Sequence, residues 1–157
     1  MLVSINNFLS KEEIKSFLNK ETKIDLIANK VSAKISSMLP NQVYPRWVEF
    51  LTMKPGSWND EHTDVDDYNE NLVSAILYLN QGFEGGQFIF QNTLIDPNPG
   101  QLVFFLSNKN SPHSVTKVVG CDRLSISMFF DYNKEGAACK YLSKTISNKY
   151  KRDNRPI

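Results

Sequence analysis

The chain contains two histidines, His62 and His113, and the first belongs to a His62-Thr63-Asp64 triplet in a turn-rich segment after Pro55-Gly56. In an extended segment residues i and i+2 point to the same side, so the His62 imidazole and the Asp64 carboxylate can converge on one ion. A third ligand must come from elsewhere. His113 stands at the start of a predicted strand, near Ser114–Val119, that a folded sheet could carry to the same place. Taken alone, a His-x-Asp triplet is short and is often merely a surface turn.

Two neutral imidazoles and one carboxylate on one face of an octahedron leave three adjacent positions open, the arrangement used by non-haem Fe(II) oxygenases. Zinc could bind the same residues, but a structural zinc site is normally closed by four protein ligands. Neither Cys121 nor Cys139 is obviously placed to supply the fourth. Arg123 follows His113 beyond the Gly120 turn, and on a strand it shares a face with Ser125. A guanidinium presents a rigid fork matched to a carboxylate, and a neighbouring hydroxyl adds a donor. The pair is a candidate clamp for the distal carboxylate of 2-oxoglutarate. The plainer reading is a strand arginine paired with a surface acid.

Several segments then stand in order: Pro55-Gly56, His62-Thr63-Asp64, Ala75 to Asn80, Glu84-Gly85-Gly86, Pro97 to Gly100 leading into Leu102 to Phe105, His113 and Arg123. This succession, from about Phe50 to Phe130, resembles the prolyl 4-hydroxylase branch of the 2-oxoglutarate oxygenases. The resemblance implies a double-stranded β-helix of the jelly-roll, cupin-like kind. Iron would sit at one end on His62, Asp64 and His113, and 2-oxoglutarate would lie inside against Arg123 and Ser125. It also adds Tyr78, which matches a tyrosine that bonds the distal carboxylate beside the arginine in some members. Without the resemblance Tyr78 reads as a core strand tyrosine.

The implied cofactors are Fe(II) with 2-oxoglutarate and O2 as cosubstrates, and ascorbate is a candidate addition. The implied reaction hydroxylates an unactivated C–H bond and releases succinate and CO2. No side chain need act as a general base, because the metal carries the difficult step. Asp64 matters here: related halogenases lack this carboxylate, so its presence implies hydroxylation. The first expectation for the substrate is a prolyl residue of a peptide or protein. The second is a free amino acid or other small molecule, and the third is a jelly-roll module that keeps a metal without turnover. Met53 stands where the branch often has a cosubstrate-binding tyrosine, and Asn71 stands where it commonly has a peptide-contacting arginine. Both departures weaken the peptidyl-proline reading and leave the oxygenase reading intact.

The elements that must position these residues are legible in part. Ser10-Lys11-Glu12-Glu13 reads as a capping box, with Leu9 and Ile14 placed for a hydrophobic staple, so a helix is predicted there. Ile24, Ile27, Ala28, Val31, Ile35 and Met38 repeat at helical spacing and Pro40 ends the run. After Pro45 the pattern changes to short runs rich in β-branched and aromatic residues, predicting strands near Trp47–Met53, Leu72–Leu79, Gln87–Phe90, Leu102–Leu106, Ser114–Val119 and Leu124–Phe130. Ala138, Tyr141, Leu142, Thr145, Ile146 and Lys149 fit a helical stripe in the tail. The organisation expected is one domain over 1–157, with a helical scaffold at about 10–40, a jelly-roll core at about 46–132 and a basic tail at about 134–157. The glycines are expected to serve turns and not chemistry. Asp60, Glu61, Asp66, Asp67 and Glu70 read mostly as solvated loop charges, Trp58 as a residue that flanks the entrance or packs, and Asp64 to Asn71 as the best candidate lid.

Bulk properties narrow the class. A hydrophobic fraction of 41%, a charged fraction of 22% and a net charge of +1 describe an ordinary globular chain. They give no global reason to expect a nucleic-acid or membrane partner. The basic excess falls after residue 133, where seven Lys and Arg oppose Glu135 and Asp153 (7 − 2 = +5), leaving −4 on the preceding residues. The plain reading of that run is solvated surface. Two cysteines are too few for a disulfide framework. The N-terminus lacks a signal-peptide pattern. A cytoplasmic location is therefore expected, in a bacterium or in a host cell if the source is viral.

Overall fold

The computed structural model describes residues 1–65, 72–134 and 139–147. Both N-terminal helices form as the pattern predicts. Helix α1 (Lys11–Leu18) is closed by the Ser10–Glu13 capping box, with Glu13 N–H donating to Ser10 Oγ at 3.1 Å and Ser10 N–H to Glu13 Oε2 at 2.8 Å. Helix α2 (Ile24–Met38) buries Ile27, Ala28, Val31 and Ile35 along one stripe.

Among the described residues, twelve strands follow or precede them: β1 (Leu2–Ile5), β2 (Tyr44–Met53), β3 (Asn59–His62), β4 (Leu72–Tyr78), β5 (Glu84–Gly85), β6 (Phe88–Phe90), β7 (Thr93–Ile95), β8 (Leu102–Ser107), β9 (His113–Val115), β10 (Val118–Val119), β11 (Arg123–Asp131) and β12 (Lys140–Ile146). The major sheet has the order β1-β8-β4-β11-β2-β12, and the minor sheet the order β3-β9-β6-β7; β5 and β10 form a separate pair. All pairings are antiparallel except β2 with β12.

Alternation along β11 explains how one sheet serves two layers. Ile126, Met128 and Phe130 pack with the helices in a core that includes Val31, Ile35, Val48 and Phe104. The intervening Arg123, Ser125, Ser127 and Phe129 fall on the opposite face, toward a second core in which Leu51, Met53, Tyr78, Val103 and Phe105 meet Phe88, Phe90 and Val115 of the minor sheet. The jelly-roll expectation is met, with the helices backing the major sheet and the candidate residues between the sheets.

Three sequence expectations need correction. The tail forms strand β12, which adds in parallel to the edge of β2 from Lys140 opposite Trp47 to Ile146 opposite Met53. Its amides satisfy an open sheet edge, a long-range demand that local periodicity cannot express; Ala138 and Lys149 lie outside the described residues. The run predicted as one strand over Ser114–Val119 divides into β9 and β10, which pair in different sheets. The break falls at Thr116 and Lys117, whose Oγ1 and carbonyl accept hydrogen bonds from Gln87 N–H and Gly86 N–H. Strands β1, β3, β5 and β7 were not anticipated, being short segments held by their partners.

Candidate active site

Antiparallel pairing of β3 with β9 sets His62 directly opposite His113. The Pro55-Gly56 turn prepares this pairing, since Gly56 N–H donates to Val118 O and Val118 N–H to Ser57 O. The two rings lie 4.3 Å apart between centroids. Each is held in the same way: His62 Nδ1 is 2.7 Å from Asp60 O, and His113 Nδ1 is 3.0 Å from Ser111 O. A carbonyl can only accept, so each neutral ring carries its proton on Nδ1 and keeps the Nε2 lone pair for the site.

Both Nε2 atoms converge on Asp64. Its Oδ1 is 3.5 Å from His62 Nε2 and its Oδ2 is 3.3 Å from His113 Nε2. The three candidate ligand atoms lie within 4.8 Å of one another. Bonds of about 2.1 Å put neighbouring ligands of an octahedral ion roughly 3 Å apart, so small adjustments would close this set around a cation. No cysteine joins the cluster among the described residues, which leaves it open in the manner of a reactive site and not closed like structural zinc.

Asp64 is 4% exposed and tied to the major sheet. Ser74 Oγ donates to Asp64 Oδ2 at 2.7 Å and lies 2.7 Å from Ser107 Oγ. With the Ser74 proton engaged by the carboxylate, Ser107 must be the donor in the second bond. This Ser107–Ser74–Asp64 relay was missed in the sequence; the signal was a serine inside an apolar strand run, on the face where only apolar or functional groups belong. Phe88 and Phe105 flank His113 at 5.5 and 4.9 Å between centroids and keep that side dry.

Arg123 and Tyr78 sit deeper in the same interior. Arg123 is 2% exposed; its Nε donates to Gly86 O at 2.9 Å and its Nη1 to Ser125 Oγ at 3.2 Å. No carboxylate among the described residues pairs with it, which removes the surface-ion-pair reading. Its Cζ lies 5.2 Å from the Tyr78 ring centroid. Arg123 Nη2 and the Tyr78 hydroxyl are both buried without hydrogen-bond partners. Burial lowers the Arg123 pKa and raises that of Tyr78, because each charged form loses hydration. Met53 Sδ lies 3.6 Å from Arg123 Nη1, beside the guanidinium at the position where the resemblance led one to look for a tyrosine.

Arg123 is locked from behind. Asn80 brackets it, with Nδ2 donating to Asp122 O at 2.8 Å and Oδ1 accepting from Leu124 N–H at 2.8 Å. Gly86 has φ +62°, and a Cβ there would lie 2.8 Å from Arg123 Cδ. This glycine therefore shapes the site as well as a turn, contrary to the expectation from sequence. A small cavity of about 30 Å³ is lined by His113 and Val115 on one side and by Arg123, Ser125 and Ser127 on the other.

The remaining candidates fall outside it. Asp60 and Glu61 are exposed, as expected. Trp58 Nε1 donates to Asp60 Oδ1 at 2.8 Å, and Lys117 Nζ stands 5.5 Å from its ring centroid. Asp66, Asp67, Glu70, Asn71 and most of the candidate lid lie outside the described residues.

Comparison with known proteins agrees with this geometry. The family described as the 2OG-Fe(II) oxygenase superfamily matches residues 48–131. A Mus musculus "2-oxoglutarate and iron-dependent oxygenase domain-containing protein 3" is 27% identical over 143 residues, covering 83% of this chain and 45% of that protein. The chain thus spans less than half the length of the curated relatives it matches. Among solved structures, the viral collagen prolyl hydroxylase of Paramecium Bursaria Chlorella virus-1, in its 2OG complex, superposes with TM-score 0.69 at 19% identity over 85% of this chain and 96% of that one. A Trichoplax adhaerens prolyl hydroxylase in complex with a hypoxia inducible factor oxygen degradation domain peptide fragment gives 0.64 at 20% identity, over 85% of this chain and 84% of that one.

Proposed function

Because the chain belongs to the 2OG-Fe(II) oxygenase superfamily, we propose that it hydroxylates an unactivated C–H bond of a prolyl residue, in a peptide or protein, with Fe(II) on His62, Asp64 and His113. The observation that carries the reading is Arg123, a buried guanidinium without a carboxylate partner among the described residues, in one interior with the three ligands. A buried cation is costly unless an anion meets it. One carboxylate of 2-oxoglutarate supplies that anion, and Nη2, Ser125 and the Tyr78 hydroxyl supply donors around it.

The residues divide the work by position. Backbone carbonyls fix the imidazole tautomers, and the serine relay orients Asp64, both being supports that tune ligands. Phe88 and Phe105 exclude water beside His113. When bound, iron and 2-oxoglutarate supply the oxidising chemistry, with O2 consumed and succinate and CO2 released. Asp64 would hold the metal through its carboxylate, the group whose absence in halogenases admits a halide, so its presence here fits hydroxylation. The prolyl substrate is supported by the names of the structural relatives, which act as prolyl hydroxylases.

Anaerobic addition of Fe(II) and 2-oxoglutarate is expected to develop the weak visible charge-transfer band of the chelate; folded protein without that band would overturn the cosubstrate assignment. Under O2, succinate should form, and proline-containing peptides should gain one oxygen by mass spectrometry.

A further inference from the structure

Strand β3 carries an extra residue where it reaches the candidate metal site. Asn59 stands opposite Val115 and His62 opposite His113, so three steps along β3 span two along β9. Val115 and His113 share a face of β9, whereas in a regular strand Asn59 and His62, three residues apart, would point to opposite faces. The bulge removes that conflict: it turns Asn59 and His62 to the same interior and leaves Asp60 and Glu61 exposed. Whatever aims His62 at the site therefore aims Asn59 there as well.

Asn59 is 9% exposed and lines the small cavity that His113, Arg123 and Ser125 also line. Its carboxamide Nδ2 lies 3.5 Å from His62 Nε2. Because the His62 proton resides on Nδ1, against Asp60 O, Nε2 is an acceptor and the amide N–H is turned toward it. At that distance the bond is long and weak. Its acceptor is also the lone pair that His62 would give to a cation, and one lone pair cannot serve both. A cation on His62 thus releases the Asn59 N–H within a buried wall, where a donor left without an acceptor is costly.

We propose that Asn59 is a binding residue for the cosubstrate: with a cation on His62, its Nδ2–H donates to the carboxylate at the metal end of 2-oxoglutarate, the other carboxylate being the one that meets Arg123. The proposal rests on the oxygenase reading and gives its cosubstrate a second anchor. The handover couples the two ligands, because the cation frees the donor that the dicarboxylate then uses. A carboxamide suits that place, since it donates without adding a positive charge that would repel the metal.

The test uses the full chain without oxygen, with Mn(II) and 2-oxoglutarate as probes, each titrated by calorimetry. Asn59→Val keeps a buried side chain that suits a strand. Mn(II) alone should bind this variant as tightly as the parent or slightly more tightly, since the competing hydrogen bond is gone. 2-Oxoglutarate should bind the Mn(II)-loaded variant roughly tenfold to a hundredfold more weakly, the loss of one hydrogen bond to a charged acceptor. At saturating 2-oxoglutarate the Fe(II) charge-transfer band should shift from its position in the parent, which a packing change away from the chelate would not produce. Asn59→Asp, the isostere, attracts the cation and repels the dicarboxylate, so Mn(II) should bind more tightly and 2-oxoglutarate more weakly than in the parent. Were Asn59→Val to fold poorly, the opposite movement of the two affinities in Asn59→Asp still decides. The proposal is overturned if both variants bind 2-oxoglutarate as tightly as the parent. It is also overturned if folded Asn59→Val loses affinity for Mn(II) alone, since Asn59 would then support His62 and not contact the cosubstrate. A parent protein without the charge-transfer band would instead sink the oxygenase reading, and this proposal with it.

Discussion

Ser74 and Asp64 lie in different parts of the fold, and the 2.7 Å bond from the Ser74 hydroxyl to Asp64 Oδ2 is what joins the metal loop to the major sheet. Ser74→Ala should leave the fold intact at a cost of about 1 kcal/mol, while Fe(II) or Mn(II) affinity falls by roughly tenfold to a hundredfold. Metal titration alongside urea denaturation separates the two effects. Unchanged metal affinity would mean that Asp64 is oriented without the relay.

Arg123 makes an opposite prediction for stability and binding. Arg123→Met removes a buried charge that has no carboxylate partner among the described residues, so the protein without ligand should melt no lower than the parent. The parent should gain about 2.7 kcal/mol when 2-oxoglutarate with Mn(II) is present at a hundred times its Kd. The variant should gain almost nothing. A variant that still responds to 2-oxoglutarate would place the carboxylate elsewhere.

Gly86 tests the support behind that arginine. A Cβ at this position meets Arg123 Cδ at 2.8 Å and Phe83 Cε2 at 3.1 Å, on a backbone with φ +62°. Gly86→Ala should weaken 2-oxoglutarate binding by roughly tenfold, with about 1 to 2 kcal/mol of destabilisation from the left-handed backbone alone. His113-centred metal binding should persist, as judged by metal titration without 2-oxoglutarate.

Helix α1 offers a control remote from the chemistry. Ser10→Ala should cost about 1 kcal/mol in urea unfolding and leave metal affinity unchanged. The Glu13 pKa is lowered below its ordinary value of 4.5, chiefly by the hydrogen bond from Lys30 and then by the Ser10 backbone. Its contribution is therefore present above that value and lost as pH falls through the lower folded value. Glu13→Gln should flatten this part of the acid limb; the effect is small because both side chains of the pair are nearly half exposed.

How much could be read without the fold varies by element, for physical reasons. Helices α1 and α2 were legible because their caps and stripes are local. The His62, Asp64, His113 and Arg123 set was legible because few residue types suit such chemistry and their order along the chain resembles a known family. Strand β3, with sequence Asn59-Asp60-Glu61-His62, has little strand propensity and exists because β9 pairs with it. The tail misled because Tyr141, Leu142, Thr145 and Ile146 have helical spacing, and the open edge of β2 that draws them into a strand is not visible in the local sequence.

The amino-acid sequence by itself determined which side chains could hold a cation and a dicarboxylate, since ligand type and guanidinium geometry belong to residues. Only the tertiary structure decided that His62 faces His113 across two strands and that Ser74 and Ser107 reach Asp64. Those relations join residues separated by long stretches of chain through sheet register, which is set by cooperative burial of both faces and is not written in any local segment.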